Sequence, residues 1–237
     1  AKNDARLFET LMWQRGSGYI DARGAVTLDK DPRAANALNL LNTLYKNNVS
    51  ADIESWTDSW YKAIADGKVA TLPMAGWMGG FLKGWIAPKT AGKWGVLPLP
   101  TFPRSISRTS NDGGSQLAIW SGSKNKEAAW AYIQFHLAQP ASALQLYKAT
   151  DFFPALTSVY KDPYFSQGDP FFGGQNVNRV YSQLAKVIPA ATVYSTDYSD
   201  MNSMTMIELQ KMALGRQDVQ ATLSNAAQVI RSRTRRP

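Results

Sequence analysis

The sequence predicts an α/β protein in which short apolar strands alternate with longer amphipathic helices. Apolar runs of strand length lie at residues 69–74, 94–99 and 116–120, and glycine, proline or polar turn residues bound them. Around these runs, apolar residues recur at the spacing of a helix face, and capping residues stand at the starts. With 237 residues, 44% of them hydrophobic, the chain can bury a sizeable core in one large or two small domains.

Two capped helices are predicted in the first third of the chain. Asp31 is a good N-cap residue and Pro32 suits the first helical position, so a helix is expected to run to about residue 48. Thr57 is expected to cap a second helix over 58–66, which Gly67 ends.

Trp77 follows the first strand and is framed by small residues, Ala75 and Gly76 before it and Gly79 and Gly80 after it. Such residues let backbone or a ligand approach closely, so a flat indole is held beside bare peptide. This arrangement suits a sugar ring, whose apolar face packs on an aromatic plane while its hydroxyls form hydrogen bonds. A ligand-facing turn and a core position for Trp77 are equally favoured by this motif.

Prolines after the second strand predict a stiff, extended crossing between two domains. They are Pro98, Pro100 and Pro103. A polar segment over 105–114 follows, then the third strand, a helix over 125–138 and a helical segment over 141–148. Residues 152–154, Phe-Phe-Pro, break the helical pattern and predict a second crossing.

The last third is predicted to be helical apart from one aromatic loop. The loop carries Asp-Pro and Gly-Gly turns and is too apolar to be fully solvated, so it must pack on something; its rings are Tyr164, Phe165, Phe171 and Phe172. Helical faces follow over 177–188 and 201–212, and Asp218 is expected to cap the final helix after Gly215 ends the one before.

The net charge of +8 is a weak argument for nucleic-acid binding. Four arginines in the last seven residues, RSRTRRP, carry a charge equal to half of it, and this tail is expected to be a frayed end. Elsewhere the basic residues are scattered, without a basic helix interleaved with aromatics. No nucleic-acid partner is therefore expected.

The absence of cysteine excludes disulfides, thiolate metal sites and cysteine nucleophiles, and it leaves the compartment open. No apolar run reaches the ~18 residues that a membrane-spanning helix needs. The first residues also lack the apolar core of a signal peptide, so any export signal is absent from this chain.

Catalytic patterns are missing from the sequence, which has no nucleophile elbow, P-loop or G-x-G-x-x-G. His136 is the one histidine, so no metal site, cofactor or catalytic residue is expected. The carboxylate pairs Asp52 with Glu54 and Asp197 with Asp200 keep a glycoside hydrolase as the alternative function. A protein-interaction module is the third class of function that the sequence leaves open.

Four segments in order carry a resemblance to a known family: GKVATLPMAGWM, WGVLPLPTFP, NDGGSQLAIWSGSKNKEAAWAYIQFHLAQP and ALGRQDVQATLSNAAQVI. Together they make the chain similar to the extracellular solute-binding proteins (family 1) of sugar ABC transporters, the group that includes maltodextrin-binding protein. The resemblance covers essentially the whole chain and implies a periplasmic-binding-protein-like fold, with two α/β lobes around a cleft.

The resemblance also implies a function and a location. Such proteins are not enzymes: they bind a mono- or oligosaccharide by closing the lobes, and they deliver it to the permease subunits of an ABC transporter. The expected location is periplasmic or at the cell surface, as an exported protein or lipoprotein that is peripheral to the membrane through its transporter.

Members of this family are longer than 237 residues, so the chain is expected to be a truncated fragment. It corresponds mostly to the C-terminal lobe, with part of the N-terminal lobe. Residues 1–98 and 155–237 are assigned to lobe two, and residues 105–153 to a partial lobe one. Lobe one would then expose apolar surface, and sugar binding by these residues alone would be weak or absent because one wall of the cleft is missing.

Candidate sugar-binding residues follow from the resemblance. Trp77 matches the cleft tryptophan and is expected to be the stacking platform. Asp112 and Gly113, in the loop NDGGS, would lie at the cleft mouth, with ordinary loop solvation as the alternative. Three further aromatic residues are brought near the cleft, with core packing as the alternative for each: Trp13, Trp56 and Tyr198.

Overall fold

A computed structural model describes residues 5–101, 106–189 and 194–237. Its α-helices are α1 (Arg6–Trp13), α2 (Pro32–Lys46), α3 (Asp58–Ala65), α4 (Met78–Phe81), α5 (Lys126–Ile133), α6 (Pro140–Thr150), α7 (Val177–Ala185), α8 (Tyr198–Ala213) and α9 (Val219–Thr234). Wider π-helical turns extend α4 over Leu82–Ile86 and α5 over Gln134–Ala138. Short 3₁₀ turns lie at Pro88–Thr90, Thr157–Lys161, Pro163–Ser166 and Pro170–Phe172.

Capping residues begin the helices where the sequence predicts them. The side chain of Asp31 accepts a hydrogen bond from the Arg33 amide at the start of α2. Thr57 accepts from the Trp60 amide at the start of α3, and Asp218 accepts from the Ala221 amide at the start of α9. The helices predicted at these positions are confirmed, whereas α1 was not predicted.

The three predicted strands, 69–74, 94–99 and 116–120, are not formed in the part of the chain that the structure describes. Isolated antiparallel bridges, Ile20 with Val26 and Asp169 with Gln175, are the β-type pairing seen there. A strand requires a neighbour whose backbone completes the hydrogen-bond ladder, and these apolar segments have no neighbouring strand among the described residues. The α/β prediction is therefore wrong for these segments, which run without regular structure.

Gln175 provides a substitute for a strand partner at Val96. Its side-chain amide donates to the Val96 carbonyl and accepts from the Val96 amide, both at 2.7 Å. One primary amide thereby satisfies the two backbone groups that a neighbouring strand would otherwise pair.

Three separate apolar clusters form the core. Helices α1, α2, α8 and α9 enclose the first, around Phe8, Leu38, Met201 and Leu223. The second holds α3, α4 and the aromatic loop, and it includes Trp60, Met78, Phe171 and Phe172. In the third, α6 packs on residues 156–165 through Tyr147, Val159 and Phe165. The prediction that the aromatic loop is packed is confirmed.

The division into clusters corrects one expectation about the helices. The apolar faces around Leu38, Leu184, Met204 and Leu223 predict that four helices cover the apolar segments at Val69 and Val96. Helix α7, which carries Leu184, does pack with these two valines in the second cluster through Val177 and Tyr181. The other three helices pack in the first cluster. Helices α2, α8 and α9 therefore share one core, and the apolar segments at Val69 and Val96 belong to another.

The basic C-terminal tail is bound to the rest of the molecule, so the expectation of a frayed end is wrong. Arg231 makes a two-pronged ion pair with Asp29 at 2.7 and 2.9 Å. Arg236 pairs with Asp197 at 2.7 Å, and the Pro237 carbonyl accepts from the Val26 amide. These contacts fasten the tail to loop 21–29 and to the start of α8.

Residues 115–138 lie almost entirely on the surface. No residue of α5 or its π-helical turn is buried, although the segment is rich in large apolar side chains. Those that are exposed are Leu117, Trp120, Trp130, Tyr132, Phe135 and Leu137. The expectation of exposed apolar surface is met in this segment, while the assignment of residues 105–153 to a partial lobe one stays a prediction.

Among the described residues, no helix combines the length and the apolar character needed to cross a membrane. Pro103, predicted to stiffen the first crossing, lies outside the described residues, as does the start of the polar segment at 105.

Candidate binding site

Three of the predicted site residues meet at the start of α4. Trp77 immediately precedes this helix and is partly buried. Its indole Nε1 donates a hydrogen bond to the Asp112 carbonyl at 3.2 Å. Gly113 follows with a φ of +88°, and a β-carbon there would lie 3.6 Å from the same nitrogen. The loop at 112–113 therefore covers the polar edge of the indole. Trp77 and Asp112, which are 35 positions apart in the sequence, become neighbours in the fold.

Arg6 joins this loop to the first cluster. Its Nε lies 3.2 Å from the Asp112 carboxylate, and its terminal nitrogen donates to the Tyr198 hydroxyl at 3.1 Å. The same nitrogen is 3.2 Å from Glu9. Burial alone would lower the pKa of Arg6, but the charges of Glu9 and Asp112 and the contact with Tyr198 raise it, so the guanidinium stays charged.

Glu9 is fully buried and is the acceptor at the centre of a hydrogen-bond network. Tyr19 and Asn202 donate to it at 2.7 Å, and Tyr198 donates at 2.9 Å. Burial raises the pKa of Glu9, and the hydrogen bonds and Arg6 partly oppose that rise. Burial and the Glu9 charge also raise the pKa of Tyr198, so its phenol remains a donor. The network fixes the orientation of the Tyr198 ring.

Trp13 lies behind Tyr198 as part of the core. It is 2% exposed, and it contacts Tyr194 edge-on at 6.0 Å and Tyr198 at 6.4 Å between ring centroids. Tyr194 is half-exposed, and its hydroxyl accepts from the Asn111 side chain at 3.3 Å. In this structure Trp13 supports two tyrosines rather than presenting a face of its own.

Trp56 stacks on Trp77 from the other side of the site. The two ring centroids are 5.8 Å apart with planes inclined by 24°. Trp56 also contacts Trp60 and the edge of Phe81, at 5.1 and 6.5 Å. The structure thus brings all six predicted residues into one connected region, through Asp112 on one side and the stacked indoles on the other.

The glycines around Trp77 serve close packing within the protein. A β-carbon at Gly80 would lie 2.6 Å from the Thr150 carbonyl oxygen, and one at Gly79 would lie 3.3 Å from the Phe172 ring. The expectation of a bare turn open to a ligand on this side is corrected, because residue 80 sits against the end of α6.

Sequence reasoning missed four residues of this region: Arg6, Glu9, Asn111 and Tyr194. The i, i+3 spacing of Arg6 and Glu9 on one helix was a usable signal for an ion pair. Asn111 and Tyr194 adjoin the predicted Asp112 and Tyr198, but only the fold shows that their side chains meet.

The residues considered for catalysis or metal binding are not assembled into a site. Asp52 and Glu54 are exposed, and the Asp197 carboxylate is paired with Arg236. His136 stacks on Tyr132 at 5.3 Å. Within the described ranges, no group of three or more His, Cys, Asp or Glu residues could hold a metal ion.

Aromatic faces beside paired charges and an amide are suited to a neutral ligand that carries both apolar faces and hydroxyl groups. The ring of Tyr194 is half-exposed, and the indole of Trp77 is only partly buried, so each leaves part of its apolar surface open. Arg6 and Asn111 provide donors, and Asp112 provides an acceptor, at the same loop.

Comparison with known proteins gives one family and several relatives. Residues 1–172 match the model of the family described as bacterial extracellular solute-binding protein. An arabinooligosaccharide-binding protein of Halalkalibacterium halodurans is 26% identical over 176 residues, which are 72% of this chain and 39% of that relative. The protein of the same name from Bacillus subtilis is 24% identical over 162 residues, 67% of this chain and 37% of that relative.

Solved structures show the same fold. A binding protein from B. animalis subsp. lactis, associated with an ABC transporter and in complex with β-1,6-galactobiose, superposes with a TM-score of 0.83 at 22% identity; the match covers 98% of this chain and 60% of that one. The sugar-binding protein MalE from Xanthomonas citri has a TM-score of 0.75 at 18% identity, over 98% of this chain and 56% of that one. The chain thus spans about 40% of the curated relatives and 60% or less of these structures.

Proposed function

The chain belongs to the family of bacterial extracellular solute-binding proteins, and we propose that it serves an ABC importer by capturing an oligosaccharide. The solute-binding proteins of this family are not enzymes, so the ligand is bound and released unchanged. In this proposal the bound sugar is passed to the permease subunits in the membrane, and the protein acts outside the cytoplasm, in the periplasm or at the cell surface.

The contact between Trp77 and the loop at 112–113 is the observation that carries the proposal. It places an aromatic plane beside a backbone carbonyl, an exposed glycine and a charged pair formed by Asp112 and Arg6. A pyranose or furanose ring can stack on the indole while its hydroxyls bond to these groups. Trp77 is assigned as the platform, with Asp112 and Gly113 as polar contacts.

Tyr198, Trp56 and Trp13 have supporting parts in the proposed site. Tyr198 is held in place by Glu9 and Arg6 and borders the site together with Tyr194. Trp56 backs the platform, and Trp13 packs behind the tyrosines.

The two-lobe organisation is also part of the proposal. Residues 1–98 and 155–237 form lobe two, and residues 105–153 belong to lobe one. The exposed apolar surface at 115–138 supports the second assignment, whereas α6 packs on residues 156–165 and so links the two regions.

The proposed ligand class is an oligosaccharide. The two curated relatives compared above are described as arabinooligosaccharide-binding, and one of the structures is in complex with β-1,6-galactobiose. A further similar structure is described as maltose-bound, with a TM-score of 0.68. A monosaccharide is the alternative ligand, and a single-site titration with both sizes of sugar distinguishes them.

The test is ligand-dependent stabilisation of the protein at its natural length. Arabinooligosaccharides, β-1,6-galactobiose, maltose and their monosaccharides are added in a thermal-unfolding series, with sorbitol as a control that has hydroxyls but no ring face. A bound sugar present at about 100 times its Kd stabilises the folded state by about 2.7 kcal/mol and raises Tm accordingly. If neither Tm nor isothermal titration responds to any of these sugars, the proposal is wrong.

A further inference from the structure

Lys83 lies between two carboxylates, in the π-helical turn that extends α4. Its Nζ is bonded to Asp151, the residue after α6, and lies 2.9 Å from Asp169 in the aromatic loop. All three side chains are largely shielded from solvent, with exposures of 28%, 15% and 20% in that order. Burial alone would lower the pKa of Lys83, but both carboxylates raise it, so the ammonium stays charged. One charge therefore joins three elements of the fold.

The two carboxylates are fixed by backbone contacts of their own. Asp151 ends α6 in a left-handed turn with a φ of +57°, and its amide donates to the Tyr147 carbonyl at 2.8 Å. The Oδ1 atom of Asp169 accepts from the Phe171 amide at 2.9 Å. Two negative charges thus face one positive charge, and they would repel each other at short range if the ammonium were removed. Lys83 is therefore the group that holds the end of α6 and the aromatic loop together.

Helix α4 has few contacts of its own to fix its position. It is four residues long, contains two glycines and has no side-chain cap at its start. Helices this short are marginal, and each glycine makes them less stable. The two glycines lie against the same cluster: a β-carbon at Gly79 would be 3.6 Å from Asp151 Oδ2, and one at Gly80 would be 3.1 Å from the Asp151 β-carbon. The position of α4 therefore depends on Asp151 and, through it, on Lys83.

Trp77 takes its position from α4. It is the residue directly before this helix, and its ring contacts that of Phe81 with 5.4 Å between the centroids. Its Nε1 donates to the Asp112 carbonyl at 3.2 Å, which is the long end of the usual range for such hydrogen bonds. A small displacement of α4 would break this bond and move the indole relative to the loop at 112–113. The ion pairs of Lys83 thus act on the proposed site through the helix.

We propose that Lys83 is a positioning residue for sugar binding: by pairing with Asp151 and Asp169 it holds α4, and with it the indole of Trp77, in the orientation that the ligand requires. This inference rests on the proposed function and adds to it a residue outside the proposed ligand contacts. The role requires a positive charge between two carboxylates. Arginine, which also pairs with carboxylates, can therefore replace Lys83, whereas methionine cannot.

Lys83→Met and Lys83→Arg test the inference, and Lys62→Met is the matched control. Lys62 pairs with Asp66 at 3.0 Å within the exposed face of α3, so its variant also removes one lysine ion pair. Affinity for arabinooligosaccharides, β-1,6-galactobiose and maltose is measured by isothermal titration on the protein at its natural length, together with Tm. Each measurement is repeated in the Trp77→Ala background, because a residue that acts through the indole has no effect once the indole is gone.

Lys83→Met is expected to bind the oligosaccharide about five- to tenfold more weakly, while Lys83→Arg stays within about twofold of the parent and Lys62→Met binds as the parent does. In the Trp77→Ala background, Lys83→Met causes no further loss. Parent-like affinity in Lys83→Met overturns this inference alone. A loss of the same size in both backgrounds also overturns it, since that assigns Lys83 to the general stability of the fold.

Asp151→Asn keeps the test decisive where Lys83→Met does not fold, because it retains the size of the side chain and removes one of the charges that hold Lys83. It is expected to weaken binding about two- to threefold in the parent background and to have no effect in the Trp77→Ala background. Parent-like affinity in this variant overturns the inference. A parent protein that binds none of the sugars overturns the proposed function as well.

Discussion

Trp77 is the residue whose removal tests the stacking platform most directly. Trp77→Ala is expected to weaken sugar binding by about 1–3 kcal/mol, the scale of one buried aromatic contact. The hydrogen bond from its Nε1 to the Asp112 carbonyl is lost in the same variant. Isothermal titration measures the change.

Trp77→Phe is the control for that experiment, because it keeps a smaller aromatic face while deleting the five-membered ring and its nitrogen donor. It should retain most of the affinity. Equal affinity in Trp77→Ala and the parent, with an unchanged circular dichroism spectrum, would remove Trp77 from the site.

Asp29 is expected to give the molecule a specific acid sensitivity. The hydrogen bond from Arg231 lowers the pKa of Asp29 below its ordinary value of 3.8. A carboxyl whose folded-state pKa is depressed contributes stability above its unfolded-state pKa, and that contribution is lost as pH falls through the folded-state pKa. The pair should therefore stabilise the fold by about 0.5–1 kcal/mol at neutral pH, after screening by solvent.

Urea unfolding of the parent and of Asp29→Asn, from neutral pH to about pH 3, measures this contribution. The difference between the two proteins should be present at neutral pH and should shrink in acid. A difference that stays constant over this range would show that the ion pair is not its source.

Helix α4 owes its position to a glycine. A β-carbon at Gly80 would meet the Thr150 carbonyl at 2.6 Å and the Asp151 β-carbon at 3.1 Å, both too close and both on a backbone that cannot simply rotate away. Gly80→Ala is therefore expected to destabilise the fold by about 1–3 kcal/mol despite its better helix propensity. Thermal unfolding checks this, with Gly84→Ala as the control because nothing lies within 4 Å of a β-carbon there.

Segment 115–138 is expected to exchange its amide hydrogens fastest among the described helical regions. Helix α5 buries no residue, whereas α8 and α9 together bury Met201, Leu209, Leu223 and Ile230 in the first cluster. Local opening requires little free energy where few contacts are broken. Hydrogen exchange by mass spectrometry on the dilute chain provides the measurement, and uniform protection of α5 and α9 would contradict it.

The success of sequence reasoning differs between helices and strands for a physical reason. Asp31, Thr57 and Asp218 predict helix starts because a cap bonds to amides two or three residues away, all within the local sequence. An apolar run such as 94–99 has no such local partner, and its state depends on which backbone lies beside it. In this chain the neighbour at Val96 is a side chain, which no pattern in the run itself indicates.

The proximity of the candidate site residues was predicted in part, and their role in binding stays a prediction. The glycine-framed Trp77 and the loop at Asp112 and Gly113 were identified from the sequence, and the fold brings them within hydrogen-bond distance. Arg6 was missed because its contacts are with Asp112 and Tyr198, which lie 106 and 192 positions further along the sequence.

At the scale of the whole molecule, we expect the protein to release any bound glycoside intact, without hydrolysis. The carboxylates considered for hydrolysis are exposed or paired with arginine, as Asp197 is with Arg236. Incubation of the protein with its sugar, followed by chromatography of the products, checks this. Hydrolysis of the sugar that persists through repurification and disappears when one carboxylate is mutated would show that the protein is a glycoside hydrolase.

The amide of Gln175 also bears on how the protein behaves at high concentration. Segment 94–99 is apolar and has no strand partner among the described residues, and Leu97 is 85% exposed, so any backbone group left unpaired there could pair with a second molecule. By bonding to both backbone groups of Val96, Gln175 removes two such groups from the middle of the segment. One polar side chain thereby leaves a second molecule fewer backbone groups with which to pair.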